Sequence, residues 1–171
     1  MDKKIIIING TGGSGKDTFV EFCSKYANVF NFSSIDKVKE IAKIIGWTGS
    51  KSEKDRKFLS DLKKLTTEYN DMAFNSIKDA INTFNNSDMD VMFIHIREPE
   101  EIKRAVDTFG AKTLLVKRDG LANIESNYSD ASVDNYNYDY VIRNTTLEEL
   151  DEKADKFIEK LNNNLIRKKT K

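Results

Sequence analysis

The chain has 171 residues, and its 28 Lys+Arg balance its 28 Asp+Glu, leaving no net charge. That balance excludes a global field that would draw in nucleic acid or an anionic membrane. The length suits one domain with a sizeable core, and the single cysteine, Cys23, excludes an intrachain disulfide.

No apolar run approaches the length of a membrane span. The run "IIII" near the N-terminus is too short for a signal peptide and passes straight into glycines. The expectation is a cytoplasmic protein. The basic end "RKKTK" reads as a solvated terminus.

"KKIIIIN" is a β-branched run bounded by glycines and reads as a buried strand. Residues 15–26 have helical spacing, with Phe19, Phe22 and Cys23 on one face. "NVFNF" reads as a second short strand. From Ile35 the apolar steps become helical through Ile45, and "GWTGSKS" breaks the pattern. One long polar helix is expected over about 53–84, with Phe58, Leu62, Leu65, Tyr69 and Met72 as its stripe.

"MDVMFIHI" is the third strand. "REPEE" comes next, with Pro99 at a first helical position and acidic residues favouring the helix N-terminus. That helix stops at Gly110. "AKTLLVK" is the fourth strand and leads into a long polar stretch. "YDYVIRN" is the fifth strand, and "TTLEELDEKADKFIEKL" closes the pattern as a helix with a capping threonine.

Strands alternating with helices predict an α/β fold with a parallel sheet and helices on both faces. Ligands of such sheets bind beyond the carboxyl ends of the strands. Of the six arginines, Arg97, Arg118 and Arg143 fall at or just past predicted strand ends. Arginine matches phosphate oxygens with a planar fork. Each could instead cap its strand end or pair with a nearby carboxylate, Arg143 more readily than Arg97 or Arg118.

"NGTGGSGKDTF", after the first strand, satisfies two nucleotide-binding patterns. Gly10, Gly12 and Gly15 fit G-x-G-x-x-G, the dinucleotide fingerprint, which also wants an acidic residue about twenty positions on; Asp36 is near that distance. Gly10, Gly15 and Lys16 fit G-x-x-x-x-G-K, the phosphate loop. A lysine directly after the last glycine belongs only to the second pattern. Gly12, Gly13, Ser14 and Gly15 then supply a backbone that a phosphate can approach, and a helix N-terminus comes after them. Lys16 reaches the outer phosphates. Thr18 stands one residue past the usual Ser/Thr position and could contact a phosphate or the magnesium shell. Asp17 takes the usual Ser/Thr position, where its charge suits a helix N-terminus.

"SGKDT" resembles the phosphate loop of bacteriophage-type deoxynucleoside monophosphate kinases, within the nucleoside monophosphate kinase group. Animal phosphomevalonate kinases carry a similar Gly-Lys-Asp. "FSSIDKVKEIAK", "HIREPEE" and "YDYVIRNTTLEEL" are similar to further stretches of the first family, so the resemblance spans nearly the whole chain. It implies a three-layer phosphate-loop fold over residues 1–171, with a five-stranded parallel sheet, a helical monophosphate-binding insert at about 33–86 and a lid at about 119–137. It implies ATP and Mg2+ as cofactors and a (deoxy)nucleoside monophosphate as acceptor. Lys16, Asp17, Arg97 and Arg118 are the catalytic candidates. Asp36, Lys37, Arg56 and Arg97 are the acceptor-side candidates, and Thr18 and Asp17 the metal-side ones.

One position departs from the pattern. His95 ends the third strand, where phosphate-loop enzymes usually place an aspartate supporting magnesium. Neutral histidine is a poor substitute in that role. Three other readings therefore stand beside the kinase: a nucleotide-binding regulator or inactive relative, another small-molecule phosphate kinase, and, less favoured, a dinucleotide-dependent oxidoreductase. The expected partner is a small-molecule nucleotide, with no nucleic acid and no membrane; a homodimer is left open.

Overall fold

The computed structural model describes residues 3–118 and 133–163. Its contacts divide the chain into two compact units, Met1–Asn31 with Ser87–Lys171, and Phe32–Asn86.

Five parallel strands form one sheet in a three-layer α/β arrangement, as the alternating pattern predicts. They are β1 (Lys4–Asn9), β2 (Val29–Ser33), β3 (Val91–His95), β4 (Lys112–Arg118) and β5 (Tyr140–Asn144). Their order is β2-β3-β1-β4-β5, so the β-branched run sits at the centre. A strand covered on both faces can be apolar at every position, which explains four consecutive isoleucines.

The two-residue period assigns side chains to faces. Ile6, Ile8, Phe93, Leu114 and Val116 share one face and one core. Helix α1 (Lys16–Cys23) supplies Phe19, Val20 and Cys23 to that core. The closing helix (Leu147–Asn163), here α6, supplies Leu150, Ala154, Phe157, Ile158 and Leu161. Phe157 stacks edge-on against Phe19 and Tyr140, with ring centroids 5.7 and 5.3 Å apart. Ile7, Met92, Ile94 and Leu115 alternate onto the opposite face. Helix α5 (Pro99–Phe109), which contacts β1, buries Ile102 and Ala105.

The predicted punctuation explains the helix ends. Pro99 opens α5, and Gly110 closes it in the left-handed region at φ 64°. Thr146 Oγ1 accepts from the Glu149 backbone N–H at 3.2 Å, half of a capping box for α6.

The second unit contains α2 (Asp36–Ile44), α3 (Glu53–Asn70) and α4 (Met72–Asn85), which pack on one another. The single long helix expected over about 53–84 is two. Asp71 lies in the left-handed region at φ 55°, ending α3 and starting α4 in one residue. An aspartate tolerates that conformation better than most residues, but no glycine or proline marks it in the sequence. Helix α3 buries none of its residues, and Leu65 and Tyr69 of the expected stripe lie exposed. Among the described residues no helix is long and apolar enough to cross a membrane.

At the amino end of the β4–β5 pair, Asp139 accepts from Lys112 Nζ, Thr113 N and Thr113 Oγ1, all at 2.9 Å. Partial burial raises the Asp139 pKa, but these donors outweigh it and hold the carboxyl below its ordinary 3.8. A depressed carboxyl stabilises the fold above its unfolded pKa and stops doing so as pH falls through the folded one. Asp139→Ala is expected to cost about 2 kcal/mol at neutral pH, chiefly by stranding the buried Thr113 donors. In urea titrations of both proteins across pH, the gap should narrow below pH 3.8.

Candidate phosphate-binding site

The loop between β1 and α1 owes its shape to three glycines with different reasons for being glycine. A Cβ on Gly10 would lie 2.5 Å from Ser14 Oγ and 2.6 Å from the Val116 carbonyl oxygen. Gly13 and Gly15 have φ of 79° and 88°, where other residues are strained. Gly15 is doubly constrained, because a Cβ there would meet Asn144 Nδ2 at 2.3 Å. Gly12 has open space around the place of a Cβ, so nothing in the folded loop requires its smallness.

Two buried asparagines clamp this loop. Asn144, at the end of β5, donates to the Ser14 carbonyl at 3.0 Å. Asn9, at the end of β1, accepts from Gly10 N at 2.8 Å and donates to the Arg97 carbonyl at 3.1 Å and to Tyr138 Oη at 2.8 Å. Tyr138 in turn donates to the Val133 carbonyl at 3.0 Å, and burial pushes its phenol up to about 12, so it remains a donor at neutral pH. Sequence patterns do not single out Asn9, Asn144 or Tyr138. Their nearest signal is position: each asparagine is the last residue of its strand.

The loop's donor set suits an anion. Helix α1 starts at Lys16, and its first turn receives no side-chain cap. Its leading N–H groups and positive dipole end therefore face the loop. Ser14 is 1% exposed, and its Oγ has no hydrogen-bond partner among the described residues. A buried hydroxyl without a partner wants an explanation, and a phosphate oxygen would supply one.

Lys16, Asp17, His95 and Arg97 form one electrostatic group. Lys16 Nζ lies 2.7 Å from Asp17 Oδ1, and His95 Nδ1 lies 3.6 Å from the same oxygen. His95 Nε2 is 2.8 Å from Asn31 Oδ1 on β2. Desolvation raises the Asp17 pKa, but the hydrogen bond and charge of Lys16, then the fields of His95 and Arg97, outweigh it and hold the carboxyl below 3.8. Thr18 is half-buried in the first turn of α1.

The strand-end arginines divide by face. Arg118 ends β4 in step with Leu114 and Val116, on the α1 face, and pairs in register with Asn144. Arg143 alternates with Tyr140 and Ile142, which pack on that core, so it lies on the opposite face. Asp36, Lys37 and Arg56 belong to the second unit. Asp36 Oδ2 accepts from Ser33 N at 3.0 Å, Lys37 pairs with Glu40 at 2.9 Å, and Arg56 Nε donates to the Lys51 carbonyl at 3.1 Å. Of the expected lid, residues 119–132 lie outside the described residues, and its last part holds a 3-10 turn, Val133–Asn135. Among the described residues no three His, Cys, Asp or Glu side chains gather to hold a metal unaided.

The fold and loop define a three-layer α/β protein with a glycine loop leading into its first helix. No family model and no curated protein matches the chain. Solved structures do. TT1252 from Thermus thermophilus aligns over 92% of this chain and 97% of its own, at 17% identity and a TM-score of 0.50. A candidate kinase from Chloroflexus aurantiacus aligns over the same shares at 10% identity and a TM-score of 0.52. At these identities the likeness establishes the fold.

Gly15→Ala is expected to destabilise the chain, because strain at φ 88° and the Asn144 clash act together. Gly12→Ala, with open space around it, should keep the wild-type melting temperature. Thermal melts of the two variants separate them. Equal losses of stability would contradict this assignment of the glycines.

Proposed function

We propose that this chain is an ATP-dependent kinase that phosphorylates a (deoxy)nucleoside monophosphate, giving ADP and the diphosphate. The observation that carries the reading is the loop itself: Gly10, Gly13 and Gly15 shape it, Ser14 Oγ is buried without a partner among the described residues, and Lys16 stands at the mouth. Kinase fold neighbours are compatible with it.

Phosphoryl transfer depends mainly on position and on charge stabilisation. A phosphate monoester has a second pKa of about 6, so the acceptor is largely dianionic at neutral pH. It needs no general base, which suits a chain with one histidine. The obstacle is repulsion between donor and acceptor anions. Lys16 and Arg97, already grouped around Asp17, would offset it, with Arg118 on the same sheet face as α1. Asp36, Lys37 and Arg56 remain the proposed acceptor-side residues. Mg2+, when bound with ATP, would screen the phosphates; Thr18 and Asp17 remain the proposed metal-side residues.

His95 favours a second reading, a nucleotide-binding protein with little or no turnover, since no carboxylate ends β3. A coupled ADP-release assay across the common NMPs and dNMPs tests both. Turnover with one or a few acceptors is expected, reduced at least about 100-fold in Lys16→Ala. ATP binding with no acceptor-dependent ADP would overturn the kinase reading in favour of the second. Binding of NAD but not of ATP would overturn both.

A further inference from the structure

Asn9 is fully buried, with both its amide nitrogen and its oxygen engaged. The Gly10 N–H can only donate, and the Arg97 carbonyl can only accept. One orientation of the Asn9 amide satisfies both: Oδ1 toward Gly10 N at 2.8 Å, and Nδ2 toward the Arg97 carbonyl at 3.1 Å. The second Nδ2 proton then needs an acceptor of its own. Tyr138 Oη supplies it at 2.8 Å. A phenol hydroxyl can donate as readily as accept, but the Tyr138 proton is committed to the Val133 carbonyl at 3.0 Å. Its oxygen therefore faces Asn9 as an acceptor.

We propose that Tyr138 is a positioning residue of the phosphate loop: its hydroxyl locks the Asn9 amide, and through it holds the Gly10 end of the loop and the Arg97 backbone in one relation. This rests on the nucleotide reading of the loop. The hydroxyl is anchored independently of Asn9. Its acceptor, Val133, is buried and opens the 3-10 turn Val133–Asn135. Asp134 of that turn pairs with Lys117 of β4 at 2.5 Å. The Tyr136 ring meets the Tyr138 ring edge-on, with centroids 5.1 Å apart. On the other side of Tyr138, Asp139 N donates to Thr113 Oγ1 at 2.9 Å. Tyr138 is thus fixed from β4 and from its own turn, and Asn9 takes its orientation from it. Without the hydroxyl, a buried amide N–H loses its acceptor, which is costly. The Asn9 amide relieves that by turning, at the expense of its hold on Gly10 or on Arg97. Gly10 opens the loop, and the charge of Arg97 acts on Asp17. The disturbance therefore reaches the bound phosphates through Asn9. Supporting hydrogen bonds hold site groups in productive geometry, and a shift of about 1 Å can cost about 100-fold.

Tyr138→Phe keeps the ring and removes only the hydroxyl. Calorimetry of the full-length protein with a non-hydrolysable ATP analogue, well below each variant's melting midpoint, should show affinity reduced about tenfold. A hydroxyl that served stability alone would lower the melting midpoint and leave the affinity of the folded protein unchanged, and that result would overturn the proposal. In an Asn9→Ala background, Tyr138→Phe should add less than about twofold to the loss, because the hydroxyl then has no amide to hold. An undiminished loss there would show that Tyr138 acts by another route and would equally overturn it. A third measurement needs no variant. In 15N-labelled wild-type protein, both Asn9 side-chain amide protons should exchange slowly with solvent, and fast exchange of either would contradict the lock. Each of these failures leaves the nucleotide reading standing. A wild-type protein that binds no analogue would remove that reading and this inference together.

Discussion

The turn at Gly15 is the constraint on which the site depends. Its left-handed backbone aims the first helix back at the loop, and the Asn144 amide occupies the space where a Cβ would lie. Asn144 also holds the Ser14 carbonyl, while Asn9 holds the Gly10 N–H and reaches the Arg97 backbone. The loop is therefore fixed from the ends of β1 and β5, and linked to a residue just past β3. Both clamps are neutral amides. An amide can donate and accept at once, so one side chain satisfies several buried backbone groups. A carboxylate at either position would add a buried negative charge beside a loop suited to anions.

Lys16 illustrates how such a site remains open to exchange. Its ammonium pairs with Asp17, whose side chain is 79% exposed. The Lys16 side chain itself is only 15% exposed, so the pair is half in solvent. The pairing holds the Lys16 ammonium at the start of the first helix. The neighbouring thiol shows the opposite extreme. Cys23 is fully buried in the α1 core, and desolvation pushes it up to about 12, so it acts as a small apolar residue with no thiolate chemistry.

What the sequence revealed and what it hid depend on the range of the interactions. Strands β1, β3 and β4 were legible because burial on both faces demands continuous apolar runs. The loop was legible because its glycines and Lys16 act within seven residues, Gly10 to Lys16. Asn144 was not, because its role lies in a contact with Ser14 across 130 positions. Asn9 and Asn31 are hidden in the same way, since an asparagine in a strand has no pattern of its own, and so is Tyr138, which meets Asn9 across 129 positions. The break at Asp71 is hidden for a local reason, since α3 and α4 each continue a helical pattern and only the backbone angle of one residue separates them. The acceptor-side candidates are a different matter. Asp36, Lys37 and Arg56 each have a local partner in the second unit, so their sequence positions alone leave their use undetermined.

A chain without net charge can still place arginines at the strand ends of one sheet, and the strand period sorts them by face. Parallel strands bring all their carboxyl ends to one edge, so an arginine at any strand end lies near that edge. Strand-end position is nevertheless not sufficient. Arg118 keeps step with Leu114 and Val116 and so shares the face of α1, whereas Arg143 is one residue out of step with Ile142 and lies on the other. Arg97, two residues beyond His95, is near enough for its charge to act on Asp17. The period of two therefore separates Arg118 from Arg143 although both look alike in the sequence, and makes the local field a property of the sheet face rather than of the composition.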